Sequence, residues 1–156
     1  MITYIIGDAT RPIGDGNKII AHICNDVGAW GKGFVNAISH QWKRPESEYR
    51  RWFFDSGLDR LPLGDVQMVR VSDEIQIANM IGQYGIILHK GLPPPIRYDA
   101  LEACLQVVSG YARTSHSTVH MPRIGCGLAG GTWDMVLPIV DRTLHDTDVF
   151  VYDLPV

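Results

Sequence analysis

Three features of the sequence predict an α/β fold with a mixed, largely parallel sheet and helices on both faces. Short β-branched runs alternate with longer amphipathic stretches along the chain, the signature of strand-helix-strand connections. Two neighbouring runs are separated only by a short polar turn, which adds an antiparallel pair. Two of the predicted strands also end in glycine-rich loops that open directly into helices.

The elements follow in order. Ile2–Ile6 and Ile19–Cys24 are β-branched runs bounded by Gly, Asp and Pro, and both read as strands. Residues 33–42 place Phe34, Ile38 and Trp42 at helical spacing, and residues 46–54 place Tyr49, Trp52 and Phe53 on one side, with Pro45 expected to separate the two helices. Residues 65–71 and 74–80 alternate as strands around a Ser72-Asp73 turn. Residues 97–113 align Tyr98, Leu101, Leu105, Val108 and Ala112 on one helical face. Residues 118–121 form a strand, and residues 133–144 a helix with Trp133, Val136, Leu137, Val140 and Leu144 along one stripe. Pro138 inside it is expected to kink that helix or shift its start, and Thr132 is the candidate N-cap. Residues 149–152 are the last strand. The Pro93-Pro94-Pro95 run reads as a stiff turn, and no repeat or linker interrupts residues 1–156, so one domain is expected.

Composition narrows the function classes. With 46% hydrophobic and 20% charged residues the chain reads as a soluble globular domain. A net charge of −3 supplies no basic field, which argues against nucleic acid or a membrane surface as partner. Cys24, Cys104 and Cys126 are odd in number and have no metal-ligand spacing, so reduced thiols, no zinc site and no other metal are expected. The leading MITYIIGD is too short for a signal peptide, and no apolar run approaches the roughly 20 residues that span a bilayer. A cytoplasmic location is expected.

Three loops at strand ends carry more than turn chemistry. Gly7-Asp8-Ala9-Thr10 alone is an ordinary turn. His22-Ile23-Cys24-Asn25 leads into Gly28-Ala29-Trp30-Gly31-Lys32-Gly33-Phe34-Val35, a strand, a glycine loop and a helix start. Residues 121–131, Met-Pro-Arg-Ile-Gly-Cys-Gly-Leu-Ala-Gly-Gly, repeat that arrangement. Backbone amides and a helix N-terminus at such a junction attract anions without lysines. Neither loop has the spacing of a dinucleotide fingerprint or a Walker motif. Two such loops in one domain suggest an extended ligand with more than one phosphate. His22 on a strand reads as a core histidine, and Trp30 in a glycine loop as either a core residue or an exposed lid.

The strings GDAT, HICN with GAWGKGFVNAI, and above all MPRIGCGLAGGTW resemble the macrodomain family over nearly the whole chain. The nearest subclass holds the terminal ADP-ribose protein glycohydrolase, the ADP-ribose-1''-phosphate phosphatase and antitoxins that strip ADP-ribose from DNA. The resemblance implies a three-layer α/β/α fold that binds ADP-ribose at the strand ends, with no cofactor. It implies that Asp8 accepts from the adenine amino group beside the Ala9 amide, and that Asn25 binds the distal ribose. Gly31, Lys32, Gly33 and Phe34 correspond to the loop around that ribose and the diphosphate. Gly125, Cys126, Gly127, Leu128, Ala129 and Gly130 correspond to the second diphosphate loop, and Tyr152 and Leu154 to residues packing on adenine.

The chain departs from this subclass at its catalytic positions. Aligned without gaps, the glycohydrolase lysine falls on Gln83 and its aspartate on Ala129. A glutamine amide cannot form a Schiff base, and an alanine offers no proton, so a lysine-dependent mechanism is not expected. The expected activity is hydrolysis of ADP-ribose from acidic protein side chains, with Asn25, Asp26, Gln83 and Tyr84 orienting water and ribose against an oxocarbenium-like state. The alternatives are ADP-ribose-1''-phosphate hydrolysis and a reader without turnover. Read as a stand-alone domain with no appended effector, the chain favours the enzyme.

Overall fold

In the computed structural model, which describes residues 1–89 and 91–156, the chain runs β1 (Ile2–Ile6), β2 (Lys18–Asn25), α1 (Phe34–Gln41), α2 (Arg44–Ser56), β3 (Val66–Arg70), β4 (Ile75–Gln83), α3 (Tyr98–Ser115), β5 (Thr118–Pro122), α4 (Trp133–Thr143) and β6 (Val149–Asp153). One six-stranded sheet has the order β1-β6-β5-β2-β4-β3, parallel throughout except for the antiparallel β3-β4 pair. Helices α3 and α4 cover one face and α1 and α2 the other, giving three layers.

The central strand β2 alternates between two cores. Ile19 and Ala21 join Val119, Met121, Leu101, Leu105 and Val140 under α3 and α4. Ile20 and Cys24 join Ile38, Tyr49, Ile77 and Ile81 under α1 and α2. A strand buried on both faces reads as a continuous apolar run, which is what Ile19–Cys24 displays. Among the described residues no helix packs on β1, β6 and β5 on the α1 side; the segment after β1 reaches that face at Ile13. Ile13 N donates to Tyr152 Oη at 3.0 Å, and that hydroxyl lies 2.8 Å from His120 Nδ1.

Several local expectations are revised. Pro45 does not separate α1 from α2 but sits in the first turn of α2, where its missing N–H has no intrahelical partner to lose. The β3-β4 turn is longer than two residues: Val71 N donates to Ile75 O at 3.0 Å, and Ser72 Oγ accepts from Ile75 N at 3.1 Å. Thr132 occupies the N-cap of α4 with extended backbone, but its hydroxyl makes no capping bond. The helix starts at Trp133 and continues through Pro138, which faces solvent.

Candidate functional site

The chain leaves the neighbouring strands β2 and β5 in opposite directions, towards α1 on one face and α4 on the other. Such divergence opens a crevice at the carboxyl ends of the strands. Two adjoining hollows of about 270 and 350 Å³ occupy it and share Ile23, Lys32, Val35, Gln83 and Leu128 in their walls. A larger groove of about 560 Å³ between α2 and β3 is shallow and walled by Glu48, Arg51, Trp52 and Asp55. It has no converging loop amides, so the chemistry belongs to the cleft.

The loop after β2 is built by Asn25. A register shift between Cys24 and Asn25 turns the strand end outward. Asn25 Oδ1 accepts from Val27 N at 3.0 Å, Ala29 N at 3.1 Å and Tyr49 Oη at 2.9 Å, while Nδ2 donates to Ala29 O at 2.7 Å. One amide proton remains without a protein acceptor among the described residues. Burial pushes the Tyr49 hydroxyl pKa upward, which keeps it a neutral donor. Beyond this turn Gly33 caps α1 at φ 85°, with no side-chain cap and no acidic residue in the first turn. Among the described residues the amides of Lys32, Gly33 and Phe34 donate to no protein acceptor. A helix start of this kind favours an anion.

The loop after β5 is built by backbone and glycine. Cys126 N donates to Arg123 O at 3.3 Å, Gly130 N to Gly127 O at 3.0 Å and Gly131 N to Gly125 O at 2.7 Å. A Cβ on Gly131 would lie 2.6 Å from the Gly125 carbonyl oxygen, so no side chain fits. At Gly127 a Cβ would meet nothing within 4 Å, because that position faces the open cleft. The amides of Gly127, Leu128 and Ala129 donate to no protein acceptor among the described residues. The two loops meet where Leu128 Cδ1 comes within 3.6 Å of a Cβ built on Gly33.

The four residues expected to orient water are not brought together. Asn25 and Gln83 both line the larger hollow of the cleft, and Gln83 Nε2 donates to Gly85 O at 2.9 Å. Asp26 is 1% exposed, and its Oδ1 accepts from Arg60 Nη1 at 2.9 Å and Gly85 N at 2.8 Å. Asp26 follows the last residue of β2, and through Gly85 N its carboxylate ties the β2 and β4 ends together. Tyr84 stacks under the Arg60 guanidinium at 3.8 Å and lines a separate hollow with Ile87 and Pro93. Trp30 is not a lid: it is 4% exposed, and its Nε1 donates to Ser39 Oγ at 2.8 Å.

The expected adenine residues lie beyond the cleft, at the ends of β1 and β6. Asp8 Oδ1 accepts from Thr10 N at 2.8 Å and Thr10 Oγ1 at 2.7 Å, Ala9 is buried, and Leu154 is exposed. Tyr152 is 4% exposed, its hydroxyl shared with Ile13 and His120 and its ring 3.6 Å from a Cβ built on Gly7. It supports the loop that carries Asp8 from beneath. The thiols are no nucleophiles here, since burial raises the pKa of both Cys24 and Cys126. The sequence reading missed Tyr49, Ile86, Leu88 and Arg123. Tyr49 anchors Asn25 across 24 residues, Ile86 and Leu88 line the cleft from a loop with no local motif, and Arg123 lines it from within the glycine loop after β5.

No protein-family model matches the chain. A macrodomain protein from Streptomyces coelicolor is 46% identical, with a TM-score of 0.85 over 98% of this chain and 99% of that one. The chain belongs to the macrodomain family. A protein of unknown function from Bacteroides thetaiotaomicron is also similar to this macrodomain, at 50% identity and a TM-score of 0.93 over 98% of each chain. Thermosipho africanus DarTG in complex with ADP-ribose shares the fold, at 18% identity and a TM-score of 0.70 over 88% of this chain and 38% of that one. Among curated proteins, Chromodomain-helicase-DNA-binding protein 1-like from Danio rerio is 29% identical over 96% of this chain. The macrodomain spans 15% of the length of that relative.

Proposed function

We propose that the cleft binds ADP-ribose, free or carried by a modified protein. The observation that carries this reading is the opposition of two amide-lined loops, residues 32–34 and 127–129, across one elongated cleft. Six amide donors without protein acceptors suit a diphosphate, and the free amide proton of Asn25 suits a ribose hydroxyl. The ADP-ribose bound by the Thermosipho africanus protein of the same fold supports the choice of ligand.

Recognition is the reading the cleft favours over rapid turnover. Among the described residues no carboxylate lines either hollow, and Asp26 is committed to Arg60 and Gly85. Without a carboxylate to act as general acid or base, hydrolysis of an ADP-ribosyl ester on an acidic side chain rests mainly on a positioned water. One observation favours that second reading: Gln83 is anchored through its Nε2, which leaves its Oε1 to accept from a water beside Asn25.

The test is calorimetry with ADP-ribose and NAD, together with single-turnover assays on glutamate-linked mono-ADP-ribosylated protein and ADP-ribose-1''-phosphate. ADP-ribose is expected to bind and NAD to bind far more weakly, because nicotinamide crowds the Gly31–Phe34 loop. Gly127→Glu is expected to fold, since a Cβ there is unobstructed, and to lose ADP-ribose binding through charge and bulk. Equal affinity for NAD would remove the distal-ribose assignment. Release of ADP-ribose that Gln83→Ala abolishes would establish the hydrolase, and inert substrates would leave a reader.

A further inference from the structure

His22 lies on β2, 2% exposed, in the wall of the hollow beside the start of α1. Its Nε2 is 2.5 Å from Asn79 Oδ1. The orientation of Asn79 is set from behind: its Nδ2 donates to Pro45 O at 3.3 Å and to Gln67 Oε1 at 3.1 Å. Gln67 is set in turn, because its Nε2 donates to Glu48 O at 3.0 Å. Every bond in this chain from α2 through β3 and β4 to β2 runs in one direction. The Asn79 oxygen must therefore accept, and His22 must carry its proton on Nε2.

The other ring nitrogen is then a bare acceptor. Nδ1 of His22 is buried and has no hydrogen-bond partner among the described residues. The rings of Trp30 and Phe34 pack at 5.4 and 6.0 Å, and the Trp30 N–H is already given to Ser39. The Cys24 thiol lies 3.8 Å away on the Nε2 side. Burial pushes the His22 pKa down to about 4, so the ring is neutral near pH 7. A buried acceptor left unpaired costs about 1–3 kcal/mol, which a donor recovers on reaching it from the hollow that His22 walls.

We propose that His22 Nδ1 is a specificity-determining acceptor of the cleft, taking a hydrogen bond from an O–H group that enters with the ligand. The proposal rests on the ADP-ribose reading. A diphosphate is acceptor-only at neutral pH, so it cannot meet Nδ1 directly, and the loop amides serve it instead. The donor class that ADP-ribose brings is the hydroxyl, either its own ribose O–H or a water held beneath the diphosphate. With its tautomer fixed from α2, the site favours a hydroxyl at this point and repels an anionic oxygen.

The experiment is NMR of the intact chain labelled with 15N-histidine, titrated with ADP-ribose and, separately, with inorganic pyrophosphate. The free protein is expected to show the Nε2–H tautomer of His22. ADP-ribose is expected to move the Nδ1 resonance as a new hydrogen bond forms, together with the Gly127 amide. A response to pyrophosphate as well assigns the donor to water; a response to ADP-ribose alone assigns it to the sugar. His22→Phe retains the ring packing and is expected to weaken ADP-ribose binding about three- to tenfold. Asn79→Leu removes the acceptor that fixes Nε2–H and is expected to let the Nδ1–H tautomer of His22 appear in the spectrum beside the Nε2–H form, although Asn79 does not line the cleft. An Nδ1–H tautomer in the free protein overturns the proposal. So does an unmoved Nδ1 while the Gly127 amide shifts. If neither resonance responds to ADP-ribose, the ligand assignment itself fails and this inference falls with it.

Discussion

The loop after β2 and the loop after β5 present amides to the same cleft, yet they are held by different chemistry. The first hangs on side-chain hydrogen bonds, with Asn25 gripping Val27 and Ala29 and Tyr49 gripping Asn25 from α2. The second is closed by its own backbone, with glycines where any side chain would strike Ile96 or a carbonyl. Side-chain scaffolding can be loosened one polar group at a time. Backbone scaffolding fails only when atoms are added. An extended anionic ligand gains from having both, because a rigid wall fixes register while a hydrogen-bonded wall can adjust.

The largest expected effect comes from acid, and it falls on the first loop's side of the sheet. His22 and His120 both point to the α1 face, the latter because it pairs with Ile20 in the register of β2 and β5. Burial lowers both from 6.5 to about 4, with nearby Lys18 adding to the shift at His120. Below pH 6.5 the unfolded chain takes up protons that the folded chain refuses until pH 4, so stability falls as pH falls through that window. Each imidazole costs about 1.4 kcal/mol per pH unit there, or about 4 kcal/mol for the pair at pH 5 relative to pH 8. Urea unfolding at pH 8, 6 and 5 measures this. A flat profile would mean that neither ring is held neutral, and half the expected loss that only one is.

Gly131→Ala attacks the second loop. The added methyl meets a backbone oxygen, which cannot rotate away as a side chain can. A loss of about 3 kcal/mol is expected, with ADP-ribose binding lost in the protein that remains folded. Full stability in this variant would show that the β5 loop is not sterically fixed, and the contrast between the walls would disappear. Tyr49→Phe is the smallest perturbation. It removes the hydroxyl shared by the Asn25 carbonyl and side chain, at an expected cost of about 1–2 kcal/mol. Hydrogen exchange should quicken at residues 27–31 and stay unchanged at residues 125–131. Equal quickening in both loops would show that the walls move as one unit.

The strands and helices were legible because burial imposes period two on strands and period 3.6 on helices, and every expected element is present with its ends moved by a few residues. The glycine loops were legible for a related reason. A position that tolerates no Cβ, such as Gly131, or that must face a ligand, such as Gly127, leaves its mark in residue type alone. What lay outside the sequence is the partner of each polar group. Asp26 looked available to a water because a carboxylate beside Asn25 reads the same whether it faces the cleft or Arg60. Trp30 looked available as a lid, since nothing local announces that Ser39 and the rings of His22 and Tyr49 enclose it. The relay that sets the His22 tautomer joins four residues from four elements, separated by up to 57 positions in the chain. Backbone conformation and apolar periodicity are short-range properties that a sequence writes down directly. The direction of a buried hydrogen bond is decided only when distant strands are brought side by side.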